Sequence, residues 1–457
     1  MGIEDEKAPS ISMSIKPPSV CPSIESAALD QVLELESGNS SSIKEILDPN
    51  IVFWDGPNDQ YNPQNWRLRK KGVNILVLSI LTFLTPLASS MFAPGVPQLM
   101  KEFGTDNDLL ATFVVSVYIL GWALGPLIIA PMSELYGRVP VYHICNIGYI
   151  CFTVACALAN SMTMLIVFRF LQGCWSVAPL TIGAGSLSDM VAPQHRGAAM
   201  SLWSVGPLLG PVAGPIAGGF LSEAKGWRWI FWVIAIASGV TAIAAPFLLS
   251  ESYAPVLLER KAKRLRRETG NANLRSKLDK GLGPEDLFSR AIVRPSKLLA
   301  MSPICQLLSL YIAILYGIMY VLFTTFTFVF EDNYGFTESS VGLTYIGIGV
   351  GMLAGLGVYA FTADRIYVRL ARKHNGEYKP EFRLPPLLVT TPAVPIGMFI
   401  YGWTAQYKVT SFCKADKSIA DPSQVHWIAP IIGTAFVGKK FLGITPSEAL
   451  LIIPNNF

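Results

Sequence analysis

The sequence predicts an all-α polytopic membrane helix bundle in two pseudo-repeated six-helix halves, the second half incomplete. Three observations carry that prediction. Hydrophobic residues make up 51% of the 457 residues and charged residues only 15%, where a soluble domain carries about 25%. The apolar residues fall in runs of about twenty, the length a helix needs to cross ~30 Å of hydrocarbon at about 1.5 Å per residue. The basic residues collect in alternate turns between those runs, as they do on the inner side of membrane proteins.

In chain order, residues 1–72 are polar and rich in Ser, Pro and Glu, with no apolar segment of the kind a signal peptide carries. Their composition predicts a cytoplasmic, mostly disordered tail. FWDGPNDQYNPQNW, Phe53 to Trp66, closes it with turn formers and two tryptophans suited to the membrane interface. Residues 73–249 hold six apolar runs, near 73–94, 111–131, 141–160, 162–186, 198–221 and 229–249, and form the N-terminal half. Residues 250–303 are a cytoplasmic central loop, in which ERKAKRLRRETGN, Glu259 to Asn271, predicts a basic amphipathic helix on the membrane surface. Residues 304–438 are the incomplete second half, with runs near 304–330, 340–361 and 385–404 and part of a tenth. That tenth run, HWIAPIIGTAFVG from His426 to Gly438, is cut by Lys439 and Lys440 after about a dozen apolar residues, too few to span. Residues 439–457 are a divergent tail.

Arg138, Arg196, the cluster from Arg260 to Arg267, Arg365, Arg369, Arg372 and Lys373 fall on one side of the bundle. The expected topology therefore places that side and the N-terminus in the cytoplasm, in a multi-pass protein of the plasma membrane. The net charge of +4 is small and lacks interleaved aromatics, so no nucleic acid is expected as a partner and the lipid bilayer is. The seven cysteines include Cys145, Cys151, Cys156, Cys174 and Cys305 inside apolar runs. Their spacing fits neither a disulfide framework nor a metal site, so they are read as small packing residues. With four histidines and no nucleophile–base pair or phosphate loop, no enzyme, metal or cofactor is expected.

Four constellations carry the functional reading. The first is GPVAGPIAGG, Gly210 to Gly219. Gly206, Gly210, Gly214 and Gly218 recur every four residues, as do Pro207, Pro211 and Pro215, with Gly219 following. Gly347, Gly351 and Gly355 repeat the spacing in the eighth run. Four-residue steps put each set on one face of a helix. In lipid, close approach depends on small residues, so the two glycine faces are expected to meet between the halves. The bland alternative is the ordinary enrichment of Gly and Pro in membrane helices.

Arg169 is the one formal charge well inside a run. An arginine there costs roughly 2.5–3.5 kcal/mol on insertion scales and needs a partner or a wet cavity, unless it reaches out to the interface. Gln172 shares its face. Third, Glu134 and Arg138 lie in the turn after the second run, and Asp189 ends the fourth on the same side. They form either a gating charge network or a solvated pair worth about 0–1 kcal/mol. Fourth, Tyr316, Tyr320 and Phe323 share a face of the seventh run. They suit either a cavity for lipophilic substrates or plain packing. Glu331 and Asp332 end that run, and no acidic residue lies deep in any run, which argues against a cationic substrate.

NPQNW, PMSELYGR, RFLQG, GPVAGPIAGG, WRWIFW and ESYAPVLLERKAKRLRRETGN, in this order across residues 53–437, resemble the major facilitator superfamily, specifically its fungal twelve-span drug:proton antiporter family. The resemblance implies the major facilitator fold, a monomer, and proton-coupled efflux of lipophilic small molecules (drugs, toxins or secondary metabolites) by alternating access. The proton gradient is then the driving force. It implies that Gly206–Gly219 is the antiporter motif, that Arg169 serves proton coupling, and that Gly121 and Gly125 of the second span pack against an eleventh. Ala130 stands where the family has glycine, and Val139 where it has a second basic residue. The loop Lys408–Gln424 and the residues after Gly438 are foreign to the family. They predict a truncated member, or a gene misread through a retained intron and a frameshift. A facilitator or importer of the same superfamily, a non-transporting sensor and an inactive truncated form are the alternatives.

Overall fold

The computed structural model describes residues 50–192, 195–279, 299–355, 392–406 and 428–441, with single positions between 281 and 297 and at 366 and 369. The tail before Asn50, the Lys408–Gln424 loop, Arg365, Arg372, Lys373 and everything after Phe441 lie outside the described residues.

The first span is helix α1 (Leu68–Ser90), a 3-10 turn (Ala93–Gly95) and α2 (Val96–Phe103). Its break follows from the sequence MFAPGVP: Pro94 and Pro97 lack the N–H groups that a continuous helix would direct at the carbonyls of Ser90 and Ala93. Helix α3 (Asp108–Tyr136) starts at Asn107, whose Oδ1 accepts from the backbone N–H groups of Leu109 at 3.0 Å and Leu110 at 3.3 Å. It stops at Gly137, whose φ of 99° lets the chain turn straight into α4 (Arg138–Ala157). The fourth span is α5 (Met162–Ser176), begun by the Ser161 hydroxyl, and α6 (Ala178–Met190). Helices α7 (Arg196–Lys225) and α8 (Arg228–Leu248) complete the first half.

Helix α9 (Ala254–Thr269) occupies the central loop. The second half follows as α10 (Pro303–Phe328), α11 (Glu338–Thr344, with helix continuing over 346–355), α12 (Ala393–Gln406) and α13 (Ile428–Phe441). Helix α13 continues through Lys439 and Lys440, because lysine is a good helix former, while its apolar part, Ile428–Val437, stays shorter than a span. Among the described residues, 7 helical segments are long and apolar enough to cross a membrane. Large apolar side chains such as Leu76, Ile128, Ile147, Ile236, Phe247 and Ile314 stand exposed on their outer faces, where lipid takes the place of water.

Inside the first half, one apolar cluster lies toward α9, with Leu78, Tyr142, Trp203 and Leu249. A second lies at the opposite, distal end, with Phe92, Leu99, Trp227 and Phe231. A third joins Phe323, Phe326 and Tyr345 of the second half to Leu208 of α7, so it spans both halves.

Helix α9 begins earlier than its sequence signal at Glu259, and it lies on protein. Its Lys261 Nζ donates to the Phe53 carbonyl at 2.8 Å and pairs with Asp55 Oδ1 at 2.6 Å. Beside it, strand β1 (Ile51–Val52) pairs in parallel with β2 (Arg275–Ser276). The polar stretch before the first span is thereby strapped to the central loop.

Candidate transport machinery

Arg169 sits on α5 and is fully buried. Snorkelling to the interface is thereby excluded. Its Nη1 donates to the Ala88 carbonyl at 3.1 Å, Nη2 to that of Ser89 at 3.2 Å and Nε to that of Val114 at 3.3 Å. Ala88 and Ser89 belong to the last turn of α1, whose carbonyls have no partner within the helix and carry the negative end of its dipole. The broken first span thus creates the acceptor site that the cation fills. The rings of Phe92, Tyr118 and Phe231 surround the guanidinium, with centroids 5.0 to 5.7 Å away. Beneath it, Gln172 Nε2 donates to Thr153 Oγ1 at 2.8 Å. Gln172 therefore ties α5 to α4 without bonding Arg169.

One further link leaves this site for the other half. The Ser89 hydroxyl hydrogen-bonds the Tyr320 hydroxyl of α10, and nearby Thr327 Oγ1 donates to the Ala93 carbonyl at 3.2 Å. Tyr320 and Phe323 are 5% and 1% exposed, with their rings edge-to-face at 5.3 Å. The expected substrate-facing trio therefore divides: Tyr320 and Phe323 are packed into the contact between halves in this conformation, and Tyr316 is half-buried.

The glycine faces do not meet each other. A Cβ at Gly206 would lie 2.8 Å from the Ser79 carbonyl oxygen of α1, one at Gly210 2.7 Å from the Pro86 ring, and one at Gly214 would overlap the Ser90 hydroxyl. A Cβ at Gly218 would overlap the Met91 carbonyl just beyond α1. The stripe on α7 is thus filled by the first span, within one half. Gly347 and Gly351 face Ile431 and Ala435 of α13, and Gly355 is buried. The contact between α7 and the α11 segment exists, but through other residues. Gly219 lies against the Glu338 backbone, Gly342 against the Pro215 carbonyl, and Gly349 against Val212. Pro211 and Pro215 lie within α7, which stays helical through both. Gly121 and Gly125, expected to face an eleventh span, are filled by the backbone of Phe170 and Cys174 in α5.

At the α9 face, Arg138 Nε lies 3.4 Å from Asp189 Oδ2 and Nη1 donates to Ser133 Oγ at 2.8 Å. The guanidinium also covers the Tyr253 ring at 4.7 Å. Glu134 is exposed and forms no ion pair with Arg138. Its expected place is taken by Glu251, which sequence reasoning missed. The two Glu251 carboxylate oxygens accept from the backbone N–H groups of Arg138 and Val139, each at 3.1 Å. A carboxylate there satisfies the first turn of α4 and its dipole. Val139 contributes that N–H and packs its side chain against the apolar cluster of the first half. Arg196 bonds the carbonyls of Ser188 and Val191 at 2.9 and 3.1 Å and so closes the end of α6.

Two cavities accompany these groups. One of about 20 Å³ lies between α1, α4, α5, α6 and α8, lined by Tyr149, Ser238 and Asn146 among others, enough for a single water. One of about 360 Å³ opens at the α9 face, lined by Trp54, Gln64, Asp189 and Arg196 among others. Among the described residues, no three His, Cys, Asp or Glu side chains come together as a metal site.

Apolar crossings in two helical groups, touching along α7 and α11 and joined by Ser89 and Tyr320, define a polytopic transporter. Residues 78–444 match the model of the Major Facilitator Superfamily, and the chain belongs to that family. It is 54% identical over 411 residues, covering 90% of this chain and 73% of the relative, to the efflux pump radE of Floropilus chiversii. It is 53% identical over 399 residues, 87% of this chain and 75% of the relative, to the MFS-type transporter penM of Penicillium rubens. Among solved structures, the partially occluded inward-open xylose transporter XylE from E. coli aligns with a TM-score of 0.58 at 16% identity, over 84% of each chain. That likeness concerns the fold. The chain is a multi-pass membrane transporter, and not an enzyme.

Proposed function

We propose that this transporter exports lipophilic small molecules in exchange for protons, by alternating access of a single path between the halves. In this reading it is a monomer in the plasma membrane, with the N-terminus and α9 in the cytosol. The observation that carries the coupling is the short path from Arg169 through Ser89 to Tyr320. A buried cation fixes the end of α1, and the same serine grips the other half, so a change in hydration around the permanently charged Arg169 reaches the contact that must break. The aromatic surface around Tyr316, Tyr320 and Phe323 suits ring-bearing substrates. Export rather than uptake is supported by the name of the relative from Floropilus chiversii.

The test uses inside-out membrane vesicles containing the chain and a lipophilic fluorescent probe. Acidifying the vesicle interior is expected to drive probe accumulation, and a protonophore to abolish it. Accumulation indifferent to the gradient would replace exchange with facilitation, and no accumulation under any gradient would overturn transport of this class.

A further inference from the structure

At the distal end of the bundle, polar side chains cross between the halves. Gln98 Nε2 of α2 donates to Glu338 Oε2 at 3.0 Å. The Ser339 backbone N–H donates to Glu223 Oε2 of α7 at 2.9 Å, and Lys101 Nζ lies 3.8 Å from Glu331 Oε1. Gln98 is held on both sides, because its Nε2 also donates to the Ser222 carbonyl at 3.0 Å and its Oε1 accepts from the Trp227 backbone at 3.1 Å. Its amide therefore presents a donor to Glu338 and cannot turn away.

Glu338 opens α11 and is half-buried against α2 and α7. The charged groups around it are Glu223 from α7 and Glu331 from the end of the seventh span, with Lys101 of α2 engaged by Glu331. Glu102 of α2 is held by Trp227 and Arg228. Among the described residues no cation pairs with Glu338. A carboxylate in this place loses water and gains two like charges, while a neutral acid keeps the hydrogen bond, since one of its oxygens still accepts from Gln98.

We infer that Glu338 is a proton-operated latch on the distal gate: neutral, it stays seated between α2 and α7 and holds that face shut; ionised, it leaves for water and the halves part there. The step is a proton moving from the distal solution to the Glu338 carboxylate and back, with no other bond made. Burial first, and then the charges of Glu331 and Glu223, push the seated carboxyl above its ordinary range, against hydrogen bonds from Ser222 and Gln98 that hold it down. The sign follows. The closed form binds the proton more tightly than the open form, so acid stabilises closure, and closure weakens as pH rises through the raised value. This rests on the proposed export reading for one point, that the distal face is extracellular. External acid would then close the gate after substrate has left and return the carrier to the cytosolic side.

The experiment measures the distance between labels on non-natural side chains at Asn160 and Thr337, both exposed, in the full chain in lipid nanodiscs without substrate. Raising pH from about 5 to about 8 is expected to shift the natural chain from a short to a long distance. Glu338→Gln, which mimics the neutral acid and keeps an acceptor for Gln98, is expected to stay short throughout. Glu331→Gln is expected to keep the transition at a lower pH, because one repelling charge is gone. The latch is overturned by a Glu338→Gln chain that titrates as the natural one does, by a natural chain with no transition, or by loss of the transition in Glu331→Gln alone. The distances read the latch without transport, so a chain that closes with acid here but accumulates no probe in the vesicle assay overturns the export reading and leaves the latch standing.

Discussion

Ser89 is the smallest side chain between Arg169 and the second half, and the easiest to delete cleanly. Ser89→Ala removes one hydroxyl and leaves the carbonyl that Arg169 uses. Tyr320→Phe removes its partner. Each is expected to weaken the state in which the halves touch by about 0.5–1.5 kcal/mol, a several-fold change in conformer ratio, with the double variant no worse than either single one. Distance measurements across the halves check this, and strictly additive effects would show that the two hydroxyls act separately. Arg169→Ala is a different perturbation, since it strands carbonyls in a dry interior at about 1–3 kcal/mol each. It should lower the thermal midpoint as well as abolish transport. That Arg169 needs acceptors inside the bundle was legible in the sequence, because a formal charge in an apolar run has few inexpensive explanations. Its partners were not, because backbone carbonyls belong to every residue type and these lie 55, 80 and 81 positions away. Glu251 was hidden for a similar reason: it meets the backbone of Arg138 across 113 residues, and no spacing rule connects them.

At the scale of helices, the four-residue glycine period foretold a flat, close-packing face and could not say which helix fills it. Any helix backbone fits a groove without side chains, so the choice falls to the connectivity and to the break in the first span, which places Ser90 and Met91 opposite Gly214 and Gly218. The consequence can be measured with two alanines on neighbouring helices. Gly218→Ala puts a methyl into the Met91 carbonyl and must push α7 off the first span, at a cost of about 1–3 kcal/mol. Gly239→Ala in α8 meets nothing within 4 Å. It should be neutral or stabilising by up to about 1 kcal/mol through helix propensity alone. Thermal unfolding in detergent separates them, and equal midpoints would mean that α7 does not rest on the first span through this face.

For the whole molecule, the first seven spans and the two-half plan were legible because hydrocarbon thickness sets a run length that few other constraints imitate. The surface on which the halves meet was not. It uses Gly219, Gly342, Gly349 and Val212 in place of the repeating glycines, and polar groups at the distal end that look like ordinary loop residues in sequence. Rocking of rigid halves about a central site requires this distal contact to open once in every cycle. Cysteines at Glu223 and Ser339, whose side chain and backbone now touch, joined by a short thiol-cleavable bifunctional reagent, should therefore arrest transport. Each single cysteine treated alike should not, and reductive cleavage of the tether should restore activity. Cysteines at Gly214 and Gly351 should not join, because they face Ser90 and Ala435 respectively. Undiminished transport through a chain tethered at 223 and 339 would mean that the halves do not part at this end. The path would then have to run elsewhere in the bundle.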